Sequence, residues 1–92
     1  MSNSILIRNR ALSSEQIADM DAEMFHTYAV IASLADENGQ CTLPQQTLAS
    51  YMGVTRETAN RRIQRLLTYR WRGEPLIVKD KIDYVNVYTL LT

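Results

Sequence analysis

The stretch LPQQTLASYMGVTRETANRRIQRLL, residues 43–67, holds two short helical patterns on either side of Gly53. Pro44 suits the first turn of a helix, where an N–H has no intrahelical partner anyway. Leu48, Ala49 and Met52 then share one face of a helix over PQQTLASYM. Gly53-Val54 reads as a turn, with the glycine tolerating a positive φ. Thr55 is a good N-cap for a second helix, RETANRRIQRLLTYRW, on which Ala59, Ile63 and Leu66 recur at helical spacing. A small residue where two helices cross, then a glycine turn, is what a helix-turn-helix requires, and Ala49 and Gly53 supply both.

If Ala59, Ile63 and Leu66 point inward at ~100° per residue, Glu57, Arg61, Gln64 and Thr68 point outward. Asn60 and Arg65 flank that strip, and Arg56 sits in the first turn. A major-groove helix wants these side chains: Arg forks to guanine, Asn or Gln pairs with adenine, and Glu accepts from cytosine. Thr55 and the leading N–H groups suit a phosphate.

Working outward, LSSEQIADMDAEMFHTYAVIASLADENG reads as the first helical segment. Ser13 and Gln16 have capping-box spacing, and Asp19 or Asp21 can begin a fresh helix. Met20, Met24, Tyr28, Ile31 and Ala35 form the apolar stripe, widened by Phe25, Ala29 and Ala32. Asn38 and Gly39 are the expected C-cap, and Cys-Thr-Leu at 41–43 is a short β-type link. After the arginine helix, Gly73 and Pro75 break the chain, and LIVKD and YVNVYTLL read as two strands joined by Lys-Ile-Asp. The expected fold is mainly α with a small β-hairpin: a winged helix-turn-helix, three helices plus a wing. It is expected over residues 13–92, after an extended or disordered arm at 1–12 with Ile5-Leu6-Ile7 as its apolar core.

The chain of 92 residues has ten basic and ten acidic residues. That neutrality hides a separation. Residues 11–52 carry six carboxylates and no Lys or Arg, whereas from Gly53 onward eight basic residues face four acidic ones, a net of +4. Such a distribution suits a molecule that offers one face to a polyanion; the acidic half also serves plain solubility.

Enzymatic and metal chemistry find little support. The sequence has one histidine, His26, expected at the core edge, and one cysteine, Cys41, expected half-buried. No CxxC or HExxH spacing, glycine-rich phosphate loop or Ser/His/Asp set occurs. Neither catalysis, a metal, a cofactor nor a small-molecule ligand is expected. No apolar run is long enough for a membrane, and the apolar start is too short for a secretory signal, so the expected location is the cytoplasm.

Gly53-Val-Thr-Arg-Glu-Thr-Ala-Asn-Arg-Arg-Ile-Gln-Arg-Leu66 resembles the recognition-helix signature of the Crp–Fnr regulators. The resemblance implies base-reading roles for Arg56, Glu57 and Arg61. Two positions depart from it: Ala59 stands where a branched residue is usual, and Arg62 where the pattern is apolar or small. Residues 28–91 are also similar to the winged-helix domains of plasmid and phage replication initiators, through Asp36-x-x-Gly39, the Pro44 helix start and Asn86-x-Tyr88-x-Leu90.

The combined expectation is sequence-specific binding of double-stranded DNA, with helix 55–70 in the major groove. Base contacts are expected from Arg56, Glu57, Asn60, Arg61 and Gln64. Backbone contacts are expected from Thr47, Thr55, Arg62, Arg65, Arg70 and Arg72, with wing contacts from Lys79 and Lys81. Arg62 is expected to snorkel from the core edge to phosphate. Trp71 reads either as a base-stacking platform or as packing between the third helix and the hairpin. Since one module reads few base pairs, a homodimer or higher assembly is expected. The roles to be separated are a small transcriptional regulator of a bacterium, phage or plasmid, a replication-initiation or partition protein on repeated origin sites, and an adaptor that binds protein.

Overall fold

The computed structural model describes residues 12–91. Its helices are α1 (Ser14–Asp19), α2 (Ala22–Ser33), α3 (Gln45–Met52) and α4 (Arg56–Thr68). The strands are β1 (Gln40–Cys41), β2 (Arg70–Trp71), β3 (Glu74–Pro75), β4 (Ile77–Ile82) and β5 (Val85–Leu90). This is a winged helix: α2, α3 and α4 form the helical core, and β4–β5 form the wing.

Two caps divide the first helical segment. The Ser13 hydroxyl accepts the Gln16 N–H at 3.1 Å, starting α1. Asp21 then accepts the Met24 N–H at 2.8 Å and starts α2, so Asp21 and not Asp19 is the second cap. Leu12, placed by sequence in the arm, is buried in the core; the rest of the arm, 1–11, lies outside the described residues. His26 is exposed on α2 and not at the core edge, while its neighbour Thr27 is fully buried, its hydroxyl donating to the Glu23 carbonyl.

Residues Asn38 and Gly39 do not cap α2, which ends at Ser33 with Leu34 as its cap. They form the next turn instead, because the Asp36 carboxylate captures the N–H groups of Asn38 and Gln40. Gly39 (φ +77°) there lies against Leu90, to which its carbonyl is bonded. This turn delivers β1 to the sheet edge. The two wing strands are therefore part of a three-stranded sheet of order β1-β5-β4, with Cys41 opposite Tyr88. Cys41 is buried, which raises its thiol pKa.

The two helices of the central stretch pack through small residues. Ala49 and Ala59 are both fully buried and share a cluster with Met52, flanked by Val30 and Val54. Gly53 caps α3 at φ +74°, the left-handed region, and turns the chain into α4. Pro44 is the N-cap of α3 and makes no side-chain cap bond. On the other side of α4, Ile63 and Leu66 join Tyr28, Ile31, Leu48, Ile77 and Tyr88 in the main core; each such side chain contributes roughly 1.5–3 kcal/mol by leaving water.

Helix α4 ends two residues before the expected 70, at Thr68. Arg70–Trp71 instead pair with Glu74–Pro75 as a miniature hairpin, turned by Arg72 and Gly73 at positive φ. The wing turn is also displaced from its expected place. Strand β4 runs through Lys79-Asp80-Lys81, and the turn is the two-residue loop Asp83-Tyr84, both at positive φ, the conformation a type I′ hairpin demands.

Ala49 and Ala59 meet fully buried where α3 crosses α4. Ala59→Val, which restores the branched residue usual in the resembling signature, should cost about 1–3 kcal/mol by overpacking. Urea denaturation should show the fall as a lower midpoint with an unchanged slope.

Candidate nucleic-acid interface

With Ala59, Ile63 and Leu66 fully buried, the opposite face of α4 is set by helical geometry. Arg56, Glu57, Arg61 and Gln64 are exposed there and have no hydrogen bond or ion pair to any described residue. Asn60 is exposed as well, but its Oδ1 accepts from Gln45 Nε2 at 2.9 Å, which ties it to α3. The Thr55 hydroxyl accepts the Thr58 N–H at 3.2 Å and donates to the Thr58 hydroxyl, so it is spent on capping α4.

The remaining arginines are distributed differently. Arg62 is only 23% exposed and lies against α2, its Nε 3.2 Å from Glu23 Oε2, close enough for an ion pair but misaligned for a hydrogen bond. Arg65 Nη2 donates to Asp21 Oδ2, and its Nη1 stands 3.7 Å from Glu23. Asp21 thus uses one oxygen to cap α2 and the other to hold α4. The Arg65 hydrogen bond, aided by the Met24 N–H, lowers the Asp21 pKa, and the same bond raises that of Arg65. Next along this flank Tyr69 donates to Asp19 at 2.7 Å, and burial together with that carboxylate pushes the phenol to about 12. Arg62 and Arg65, expected on phosphate, pair here with the carboxylates of Asp21 and Glu23.

Beyond the helix, Arg70 Nη1 donates to the carbonyls of Leu67 and Tyr69, satisfying the end of α4. Arg72 lies over the half-buried Trp71 ring, 5.2 Å from its centroid, a cation–π pair. Trp71 also lines a cleft of about 700 Å³ with Leu12, Gln16, Pro75 and Leu76. That cleft shares no residue with α3, α4, β4 or β5. Among the described residues no group of His, Cys, Asp and Glu is placed to hold a metal ion, and no helix is long and apolar enough to cross a membrane.

On the opposite flank of α4, a cleft of about 290 Å³ is lined by Pro44, Gln45, Gln46, Arg56, Tyr84, Val85 and Asn86. It joins the start of α3, the start of α4 and the tip of the wing. The leading N–H groups of α3 have no side-chain cap there and Thr47 is half-buried beside them. Lys81 is paired with Asn86 and Lys79 with Tyr88; directly opposed residues share a sheet face, so both lysines lie on the helix side of the wing. Sequence reasoning missed Gln45, Gln46, Tyr84 and Asn86, since their proximity to Arg56 is made only by the fold. For Tyr84 one signal was available, an aromatic residue next to an aspartate turn, but a tyrosine at φ +67° is a rare choice.

The model of a family described as a helix-turn-helix domain matches residues 23–71, from the start of α2 to β2. No curated protein matches, and no solved structure does.

The ion pair on the acidic flank carries a pH signature. Asp21 has a folded pKa below its ordinary 3.8, so its contribution is complete above that value and lost as the pH falls through the lower, folded value. The urea-midpoint difference between wild type and Asp21→Asn should hold at neutral pH and shrink below about pH 3.8.

Proposed function

The chain belongs to the helix-turn-helix domain family, and on that premise we propose that it binds duplex DNA sequence-specifically as a small transcriptional regulator. In this reading α4 enters the major groove. The observation that carries it is the exposed face of α4, where Arg56, Glu57, Arg61 and Gln64 stand without partners among the described residues and Arg56 lines the wing cleft. Polar side chains not used by the fold are the ones available to base edges.

Arg61 lies at the centre of that face and is assigned to a guanine, Glu57 to a cytosine amino group and Gln64 to an adenine. Arg56 reaches either the first base or the phosphate beside the cleft. Asn60 is a weaker reader, because a bidentate pair with adenine needs the oxygen that Gln45 occupies. Backbone contacts are assigned to the uncapped start of α3 with Thr47, to the leading backbone N–H groups of α4 after Thr55, to Arg72, and to Lys79 and Lys81. The wing tip adds Tyr84, which is 94% exposed and held in a conformation that costs a tyrosine energy. Strain kept at an exposed aromatic fits a residue retained for contact.

A single module covers few base pairs, so assembly as a homodimer or on repeated sites is part of the proposal. The resemblance of residues 28–91 to replication initiators supports a second role, replication initiation or partition at repeated origin sites. Sequences selected from a random duplex pool separate the two: one symmetric operator supports regulation, and many direct repeats support the second role.

Three outcomes are expected. Affinity for duplex DNA should fall with salt by ~0.9 log unit per log salt for each phosphate neutralised, and failure to bind at low salt would leave only a protein-binding adaptor. Arg61→Ala should lose about 1–3 kcal/mol of discrimination between the selected site and its single-base variants; an unchanged preference removes Arg61 from the readers. Tyr84→Gly should raise stability by about 1 kcal/mol through relief of the left-handed conformation, while weakening DNA binding in the same titrations.

A further inference from the structure

The two flanks of α4 differ in charge. On the wing side stand Arg56, Lys79 and Lys81, against Asp83 in the wing turn, with the amides of Gln45, Gln46 and Asn86 and the bare start of α3. On the other side three carboxylates, Asp19, Asp21 and Glu23, meet two guanidiniums, Arg62 and Arg65. That flank therefore carries a net charge of −1, although it contains two of the arginines on α4. A phosphate approaching it meets repulsion, and one approaching the wing side meets attraction.

Arg65 is the residue on which this distinction turns. It follows Arg61 by one helical turn on nearly the same side of α4, within reach of the next phosphate along a groove that Arg61 enters. Its guanidinium is instead hydrogen-bonded to Asp21 and close to Glu23. Asp21 is fixed in place because its other oxygen caps α2, so the acceptor is presented by a helix terminus and not by a freely rotating side chain. Glu23 lies two residues further on in the same first turn and holds Arg62 as well.

We propose that Asp21, with Glu23, is a positioning residue that masks Arg65 and Arg62, keeps duplex DNA toward the wing side of α4 and holds the affinity of the domain below what its arginines would otherwise provide. The proposal rests on the DNA-binding reading above. In it the N-terminal half of α4 and the wing carry the contacts, and the C-terminal half stays at the margin of the groove. Sequence-independent attraction is thereby restrained relative to base reading, since phosphate contacts add affinity without information.

The test uses duplex titrations over a range of salt with the whole chain. Asp21→Asn is the informative substitution, because asparagine caps a helix as well as aspartate and α2 is retained, which a far-ultraviolet spectrum and a melting curve verify. Unmasked Arg65 should neutralise one further phosphate, steepening the salt slope by ~0.9 and tightening binding at 0.1 M salt about eight-fold. Adding Arg65→Gln to Asp21→Asn should return the slope to that of wild type. If Asp21→Asn binds with the wild-type affinity and slope, the proposal is overturned. It is equally overturned if the gain survives Arg65→Gln, since the effect is then only the loss of a negative charge. Wild-type protein that binds no duplex at low salt defeats the DNA-binding reading itself, and the masking with it.

Discussion

The close approach of α3 to α4 is the constraint on which the rest of the molecule depends. Ala49 and Ala59 are both fully buried in the same small cluster, and only a methyl group on each side lets two helical backbones come that near. Gly53 makes the approach reachable by turning the chain through a left-handed residue between them. Once Ala59 faces α3, Ile63 and Leu66 are carried into the main core by the helical repeat, and the outward face of α4 follows without further choice. The position of Arg61 is thus a consequence of two alanines that touch nothing outside the protein.

The arginines that follow illustrate how a single residue type is divided among tasks by geometry. Arg56 and Arg61 face solvent. Arg62 and Arg65, turned about the helix axis, meet carboxylates of α2. Arg70 closes the carbonyl end of α4, and Arg72 stacks on Trp71. The departure of Arg62 from the resembling signature has its physical account here: an apolar or small residue would pack at the α2 seam, and this chain places a cation there opposite Glu23. Exposed ion pairs of this kind are worth little in stability.

The wing meets a different constraint. Among the described residues, strand β4 is the outer strand of the sheet, and an outer strand presents a row of backbone groups that invites another strand. Its centre is Lys79-Asp80-Lys81. A second copy pairing two-fold about Asp80 would set aspartate against aspartate and lysine against lysine, so the edge resists self-association. The same two lysines lie on the helix side of the sheet and add positive charge beside Arg56. One short run therefore both guards the edge and adds positive charge to the helix side.

Local physics explains how much could be read without coordinates. The caps at Ser13, Asp21 and Thr55, the inward faces of the core helices and the winged order of elements are short-range properties, legible from spacing and residue type alone. Where sequence reasoning erred, a competing local bond or a distant partner decided. Asp36 took the N–H groups that would have extended the α2 segment, β-forming residues at 69–71 ended α4 early, and strand pairing moved the wing turn to Asp83-Tyr84. The sequence by itself determined that an arginine-rich helix would follow a glycine turn with its apolar side buried. Only the tertiary structure decided which arginines remained available, because Asp21 and Arg65 lie 44 residues apart in the chain and meet only when α2 packs on α4.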